Sequence, residues 1–400
     1  MVDVCLILEG TYPYVIGGVS KWVHELVKNL NHLKFSILHL YADERKEIKF
    51  EIPMNVDSIV EIDVRNGLGF KFDFKDVISF IPNARIYHSL STGFAGLLGL
   101  QIKQRKNKPF ILTEHGIYWK ELEFGVNEVE CGFKIFKDEK IKNELCSARR
   151  EYLKIFKDIA MRCYLEADLV TTVCRYNLEQ QLSLIPSELI DDLRRKFRVI
   201  ENFVDEKFLD GLSRVKDVKN VVFIGRVVPI KDVKTFIRAI PLILEEIGDV
   251  KFYVVGDLRQ DFDYAMECFK LAESLGINER VIFTGEANSV DYLKIADVLV
   301  LPSVSEAQPF VVLEAMALGV PVVASSVGGV PELVNEAGNE CGLLFEVGDY
   351  RMLAQNVIRI LRDENLEKIL SRNGIKKAKR FTLEKFVKSY REIYESFLNE

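Results

Sequence analysis

No pair of cysteines in this sequence has the CxxC spacing. The seven, at positions 5, 131, 146, 163, 174, 268 and 341, are odd in number and scattered. That excludes a zinc site or a disulfide framework of familiar spacing and points to reduced thiols in a cytosol. Charge of one sign is also in short supply. A formal net charge of -6 over 400 residues gives no field to draw the chain to nucleic acid, so no nucleic-acid partner is expected. The basic clusters KQRKNK (103–108) and RRKFR (194–198) read first as solvated surface and second as contact with an anionic membrane face. Long apolar runs are missing too: residues 91–102, STGFAGLLGLQI, are too short to span a bilayer and run straight into charges. Asp3 and the lack of a basic flank before the first apolar run do not fit a signal peptide, so the expected location is cytoplasmic. No short repeat or low-complexity segment occurs.

What is present is ordinary for a soluble globular enzyme: 48% hydrophobic and 28% charged residues, in a chain long enough for two domains of about 200 residues each. Short apolar runs alternate with helical patterns. VDVCLIL, FSILHLY, ARIYHSL, PFILTEH and ADLVTTV mark strands in the first half, and NVVFIG, KFYVVG, RVIFTG, DVLVLPS and VPVVAS in the second. Such runs are apolar on both faces, the pattern of a parallel sheet covered by helices on each side. The expected fold is therefore α/β: two doubly wound, Rossmann-like domains facing a cleft. The polar stretch 205–219 sets the boundary near 205, giving domains 1–205 and 206–381. A last helix, about 382–400, repeats Phe386, Tyr390, Ile393, Tyr394 and Phe397 at helical spacing, needs an apolar surface to cover, and is expected to pack back on the first domain.

Ligands of open α/β sheets bind at the C-terminal ends of the strands, and four stretches there stand out. In GTYPYVIGGVSKWVHEL (10–26), Gly17 and Gly18 lie between a strand and a helix start, where unpartnered N–H groups attract anions or where the chain simply turns. In VVFIGRVVPIKDVKTFIRAI (221–240), Arg226 follows a buried strand and Lys231 precedes a helix, two cations suited to a diphosphate. In PSVSEAQPFVVLEAMALG (302–319), Glu306 sits before, and Glu314 within, a helix apolar nearly all round, where an ionisable group needs a partner. His115 ends the strand PFILTEH and can bond a hydroxyl or share developing charge; its neighbour Glu114 reads as its partner or as an acceptor-side group. Asp261 and Asp263 form an Asp-x-Asp of metal-binding type, but their place between strand and helix suits capping better.

The Arg226-x4-Lys231 and Glu306-x7-Glu314 pairs, followed by GVPVVASSVGGVPELV, resemble the donor domain of retaining GT4 glycosyltransferases of GT-B fold. Within that family GTYPYVIGGVSKWVHEL, LTEHGIYWKE, GRVVPIKDVKTFI and SEAQPFVVLEAMA are most similar to the branch typified by Pel exopolysaccharide synthesis. Ala307 and Pro309 stand where the commoner pattern has glycines, and Asp232 follows Lys231 where glycine is usual. The resemblance implies that Gly17 and Gly18 meet the distal donor phosphate and the sugar, and that Arg226 and Lys231 hold the diphosphate. It further implies that Glu314 binds the ribose, that Glu306 binds the sugar hydroxyls and that the backbone at Gly285 and Glu286 meets the base.

The expected activity is transfer of a hexose, first of all glucose, from a UDP-sugar to a hydroxyl acceptor with retention, with His115 and Glu306 as the catalytic pair. No metal or other cofactor is expected. Expected partners are the nucleotide-sugar, a saccharide or lipid-linked acceptor and a membrane-bound polysaccharide synthase, with peripheral contact at the inner membrane face. The rival readings are an NDP-sugar epimerase, which needs a further acid/base set, and a non-catalytic sugar-binding protein, which needs neither Arg226 nor Lys231.

Overall fold

A computed structural model describes residues 1–42, 47–65, 74–124, 142–208 and 218–399, with the backbone alone for 142–148. Cys131 and the side chain of Cys146 lie outside the described residues; Cys5, Cys163, Cys174, Cys268 and Cys341 are buried free thiols. The chain divides into two compact units, one of residues 1–201 and 384–400, the other of 202–383.

The first unit is built on seven parallel strands: β1 (Val2–Glu9), β2 (Phe35–Tyr41), β3 (Val56–Asp63), β4 (Ala84–Ser89), β5 (Phe110–Glu114), β6 (Leu169–Thr172) and β7 (Phe197–Val199). Their order in the sheet is β3-β2-β1-β4-β5-β6-β7. The second unit holds six: β8 (Lys219–Ile224), β9 (Val250–Val255), β10 (Val281–Gly285), β11 (Val298–Leu301), β12 (Val322–Ser325) and β13 (Gly342–Phe345), in the order β10-β9-β8-β11-β12-β13. Strands buried on both faces, such as β5 and β11, explain the doubly apolar runs. In each sheet the order reverses beside the first strand, between β1 and β4 and between β8 and β11, the place where open α/β sheets bind their ligands. The sequence reading omits β3, β7 and β13. β3 is an edge strand with few fully buried residues, and β7 and β13, also at sheet edges, are only partly buried and so lack a run buried on both faces.

Helix Leu383–Leu398 closes the first unit with buried Phe386, Tyr390, Ile393 and Tyr394. Its tyrosines do more than pack. Tyr394 OH lies 2.7 Å from His88 Nδ1, and His88 Nε2 lies 2.7 Å from Thr113 Oγ1. Thr113 and Thr171 are 2.5 Å apart, and Tyr390 OH is 3.0 Å from Thr171 Oγ1. This ladder satisfies polar groups on β4, β5 and β6 that would otherwise be costly to bury. Burial holds both His88 and His115 at a pKa of about 3, against an ordinary 6.5. The folded chain refuses protons that the unfolded chain accepts, so this contribution is complete above pH 6.5 and fades as the pH falls toward 3. Each histidine should cost about 1.4 kcal/mol per pH unit within that window. Denaturant unfolding at pH 7 and pH 5 checks this, with His88→Gln flattening the dependence.

The basic clusters serve partly as fold contacts. Lys103 Nζ donates to Glu166 O at 2.7 Å, and Lys196 Nζ to Leu165 O and Ala167 O at 2.8 and 2.9 Å. Two lysines thus satisfy carbonyls at the C-terminal end of helix Lys142–Glu166, where orphan acceptors and the helix dipole favour cations.

Asp232 has φ 44°, a left-handed conformation that favours glycine and that aspartate tolerates. It also caps helix Val233–Glu246, accepting from Thr235 Oγ1 at 2.6 Å and from Thr235 N at 3.4 Å. Aspartate in place of the usual glycine thus gains a cap without leaving the required backbone shape. Asp232→Ala should lower stability by about 0.5–2 kcal/mol, and Asp232→Gly by less, as read from denaturation midpoints.

Candidate functional site

In the second unit the candidate residues collect at the C-terminal ends of β8, β10 and β11. Arg226 lies two residues past β8, and Lys231 ends the short turn Pro229–Lys231. The loop after β11 lies against this turn, Val304 N–H donating to Ile230 O at 2.8 Å. Lys231 Nζ and Glu306 Oε1 meet at 2.5 Å, with side-chain exposures of 18% and 9%. Ser303 Oγ donates to the same oxygen at 2.7 Å, and Ser303 O in turn accepts from Ser325 Oγ at 2.5 Å. The Glu306 backbone rests on Gly328, where a Cβ would fall 1.6 Å from Glu306 O. One cation and one carboxylate are thus fixed side by side, each largely withdrawn from water.

The other residues stand around this pair without touching it directly. Arg226 reaches Gln260 Oε1 at 3.4 Å. Glu314, buried within helix Phe310–Ala317, accepts from Ser289 Oγ at 3.4 Å, which draws it toward the segment after β10. Gly285 ends β10 with φ 70° and open space beside its Cα. Glu286, the residue after β10, has its carboxylate engaged by Arg259 at 3.2 Å. Asp261 accepts from Tyr264 N at 3.0 Å and caps helix Phe262–Ser274.

In the first unit Gly17 is the N-cap of helix Gly18–Asn29, and no side chain caps that helix. Gly17 has φ -175°, extended backbone open to any residue, and nothing lies within 4 Å of where its Cβ would be. Neither backbone shape nor packing explains a glycine here; the left-handed position of the turn is Gly10, φ 60°. What a side chain would fill is the space in front of free helix N–H groups.

His115 follows β5. Its O accepts from Asn177 Nδ2 at 2.9 Å, and the Trp22 ring stands edge-on to it, centroids 5.0 Å apart. Its Nε2 is buried and has no hydrogen-bond partner among the described residues. With its pKa depressed to about 3 by burial, the imidazole is neutral at working pH and can donate or accept a hydrogen bond but not carry charge. Glu114 is not its partner. The Glu114 carboxylate is fully buried and accepts from Thr92 Oγ1 (2.6 Å), Tyr164 OH (2.5 Å) and Gln181 Nε2 (3.0 Å), with burial pushing its pKa up against those bonds.

Glu9 is the residue that sequence reasoning missed. It ends β1, is buried, and accepts from Ser91 Oγ (2.5 Å), Ala95 N (2.8 Å) and Tyr118 OH (3.0 Å). The second helix at the β1/β4 reversal, Phe94–Lys106, therefore has its N-terminus filled by the protein's own carboxylate. Of these two helices, Gly18–Asn29 is the one with no side-chain cap among the described residues. A glutamate closing an apolar strand was the available signal.

The comparisons bear on the fold that carries these residues. Residues 205–377 match the family model Glycosyl transferases group 1, and residues 2–71 and 70–184 match a domain of unknown function, DUF3492. An uncharacterized glycosyltransferase of Methanocaldococcus jannaschii is 27% identical over 387 residues, 96% of this chain and 95% of that one. Sucrose-phosphate synthase from Thermosynechococcus elongatus has the same fold, with a TM-score of 0.77 at 20% identity over the whole of both chains. Anabaena HepE, solved with UDP-glucose, gives a TM-score of 0.74 at 18% identity over 99% of this chain and 100% of that one. With residues 205–377 matching the glycosyl transferases group 1 model and a glycosyltransferase relative aligned along nearly the whole chain, the protein is a glycosyltransferase with two Rossmann-like units of GT-B type.

Proposed function

We propose that the protein is a retaining GT4-type glycosyltransferase, in the branch typified by Pel exopolysaccharide synthesis, with UDP-glucose as donor and a saccharide or lipid-linked hydroxyl as acceptor. The observation that carries this reading is the contact of Lys231 with Glu306 at the β8/β11 reversal. A diphosphate draws Lys231 and Arg226, and hydroxyls of the transferred sugar replace Lys231 as the partner of Glu306. Glu314 takes the ribose, as carboxylates do in dinucleotide folds, and the backbone at Gly285 and Glu286 meets the base; in the first unit the helix start at Gly17 and Gly18 is suited to an anion. That HepE is solved with UDP-glucose supports the choice of donor.

Two cations beside the diphosphate make a metal unnecessary in this reading. The leaving diphosphate takes the proton of the acceptor hydroxyl on the face it departs from, so the protein contributes chiefly positioning and stabilisation of leaving-group charge. Neutral His115 contributes a hydrogen bond. The site is cytoplasmic, and a membrane-bound polysaccharide synthase is the partner that would take the product.

Calorimetric titration tests the reading. Arg226→Ala or Lys231→Ala should weaken UDP by roughly 1.5–3 kcal/mol, the range for hydrogen bonds to charged groups, and leave uridine unaffected. Glu314→Gln should weaken UDP and UDP-glucose alike, whereas Glu306→Gln should spare UDP and damage turnover. Equal losses for UDP and uridine in the cation variants would refute the diphosphate role, and the opposite pattern in the glutamates would exchange their assignments.

A further inference from the structure

Two residues past Glu306, Gln308 is buried to 5% exposure and turns away from the Lys231 pair. Its Oε1 accepts from Asn202 N–H at 2.5 Å, and its main-chain O accepts from Asn202 Nδ2 at 2.8 Å. Asn202, 4% exposed, is the first residue of the second unit. The next residue, Phe203, sets its ring edge-on to Phe310, centroids 5.3 Å apart, and Phe310 begins the helix that contains Glu314. Val204 then donates to Phe381 O at 2.8 Å and bridges Thr382 in parallel. The two places where the chain passes between units, 201/202 and 383/384, are therefore bonded to one another, and one of them is bonded to the loop bearing Glu306.

Each bond joins one residue's side chain to the other's main chain, so apolar side chains in the same space would leave Asn202 N–H and Gln308 O buried without partners. Asn202 Oδ1 is nevertheless buried without a hydrogen-bond partner among the described residues. What the amides supply and apolar groups would not is a fixed distance and direction.

We infer that Asn202 and Gln308 are positioning residues for the donor sugar, a clamp that joins the Glu306 loop to the chain crossings so that occupancy of the sugar subsite is felt at the crossings. This rests on the reading of Glu306 as the sugar carboxylate. When a nucleotide-sugar enters, Lys231 turns to the diphosphate and Glu306 to the hydroxyls, and the loop adjusts. Gln308 carries the adjustment to Asn202. UDP alone draws Lys231 away but offers Glu306 no sugar hydroxyls in its place, so the loop adjusts only in part.

The test compares hydrogen exchange of residues 202–204 and 381–382 in the full chain with no ligand, with UDP and with UDP-glucose, alongside kinetics of Gln308→Met and Asn202→Ala. UDP-glucose should slow exchange there beyond the effect of UDP. Each variant should keep UDP affinity within about two-fold, an effect well under a tenfold (1.4 kcal/mol) step. Each should also lose kcat/KM for UDP-glucose by on the order of ten- to a hundred-fold, the scale of misplacing a reacting group. The double variant should be no worse than the worse single, because both break one interaction. Gln308→Glu, which keeps an acceptor oxygen at the same reach, should recover activity. Equal exchange with UDP and UDP-glucose in an active wild type overturns the inference, as does UDP affinity falling in step with turnover, the sign of mere scaffolding. A wild-type protein that bound neither ligand would instead refute the proposed function itself.

Discussion

His115→Ala is expected to reduce turnover by about 10²–10³-fold, the range for losing one preorganised hydrogen bond to the transition state, and to leave UDP affinity nearly unchanged. The imidazole sits at the end of β5, set edge-on to Trp22 and held through its main chain by Asn177. Its Nε2 is the buried polar atom still in need of a bond. If that bond forms fully only in the transition state, kcat and kcat/KM fall together. Burial keeps the ring neutral, with a pKa of about 3, so the pH–rate profile between pH 5 and 8 should have no limb from this histidine, and the variant should lower the profile without reshaping it. Steady-state kinetics across that range, beside UDP titration, decides the matter. Full activity in the variant would leave His115 as a ring that packs against Trp22.

Gly328→Ala should nearly abolish transfer while the fold survives in weakened form. The added Cβ would lie 1.6 Å from Glu306 O and 2.8 Å from its carbonyl carbon, both backbone atoms that no rotamer change can clear. With φ 55° the residue is also in a conformation costing non-glycine residues about 1–3 kcal/mol. Relief requires the loop to move, and Glu306 with it, which should cost on the order of 10²-fold in turnover or more. Gly17→Ala is the informative contrast: extended backbone and open space predict unchanged stability, so any loss of donor affinity or turnover there would report on the ligand and not on the fold. Thermal midpoints and transfer assays on both variants separate the two cases, and an active Gly328→Ala would show that the Glu306 loop tolerates displacement.

The doubly wound architecture was legible because buried parallel strands are apolar on both faces, and β1, β5, β8 and β11 carry that mark plainly. β3, β7 and β13 were not, since each lies at a sheet edge and is only partly buried. Of the site, charged residues out of keeping with their apolar surroundings stood out: Glu314 in its helix, Arg226 after its strand. The contact between Lys231 and Glu306 was beyond reach, because the two are far apart in sequence and meet only through the β8/β11 adjacency. Glu9 and Glu114 show the converse. They look alike on paper, a carboxylate ending an apolar strand, and only their bonding partners reveal that both serve the protein's own interior.

Helix Leu383–Leu398 belongs to the unit that begins at residue 1, and this has a consequence for how the protein is made. His88, Thr113 and Thr171 leave the ribosome long before Tyr390 and Tyr394, the hydroxyls that complete their bonding, and all of residues 202–383 is translated in between. The usual order, in which the N-terminal domain matures first, is thereby reversed: the second unit holds every strand of its own sheet while the first still awaits its closing helix. Any chain that stops short of residue 384 presents an N-terminal half with buried polar groups unmatched and an apolar face uncovered. Incomplete products would therefore be marked for chaperones and proteases by their own first half.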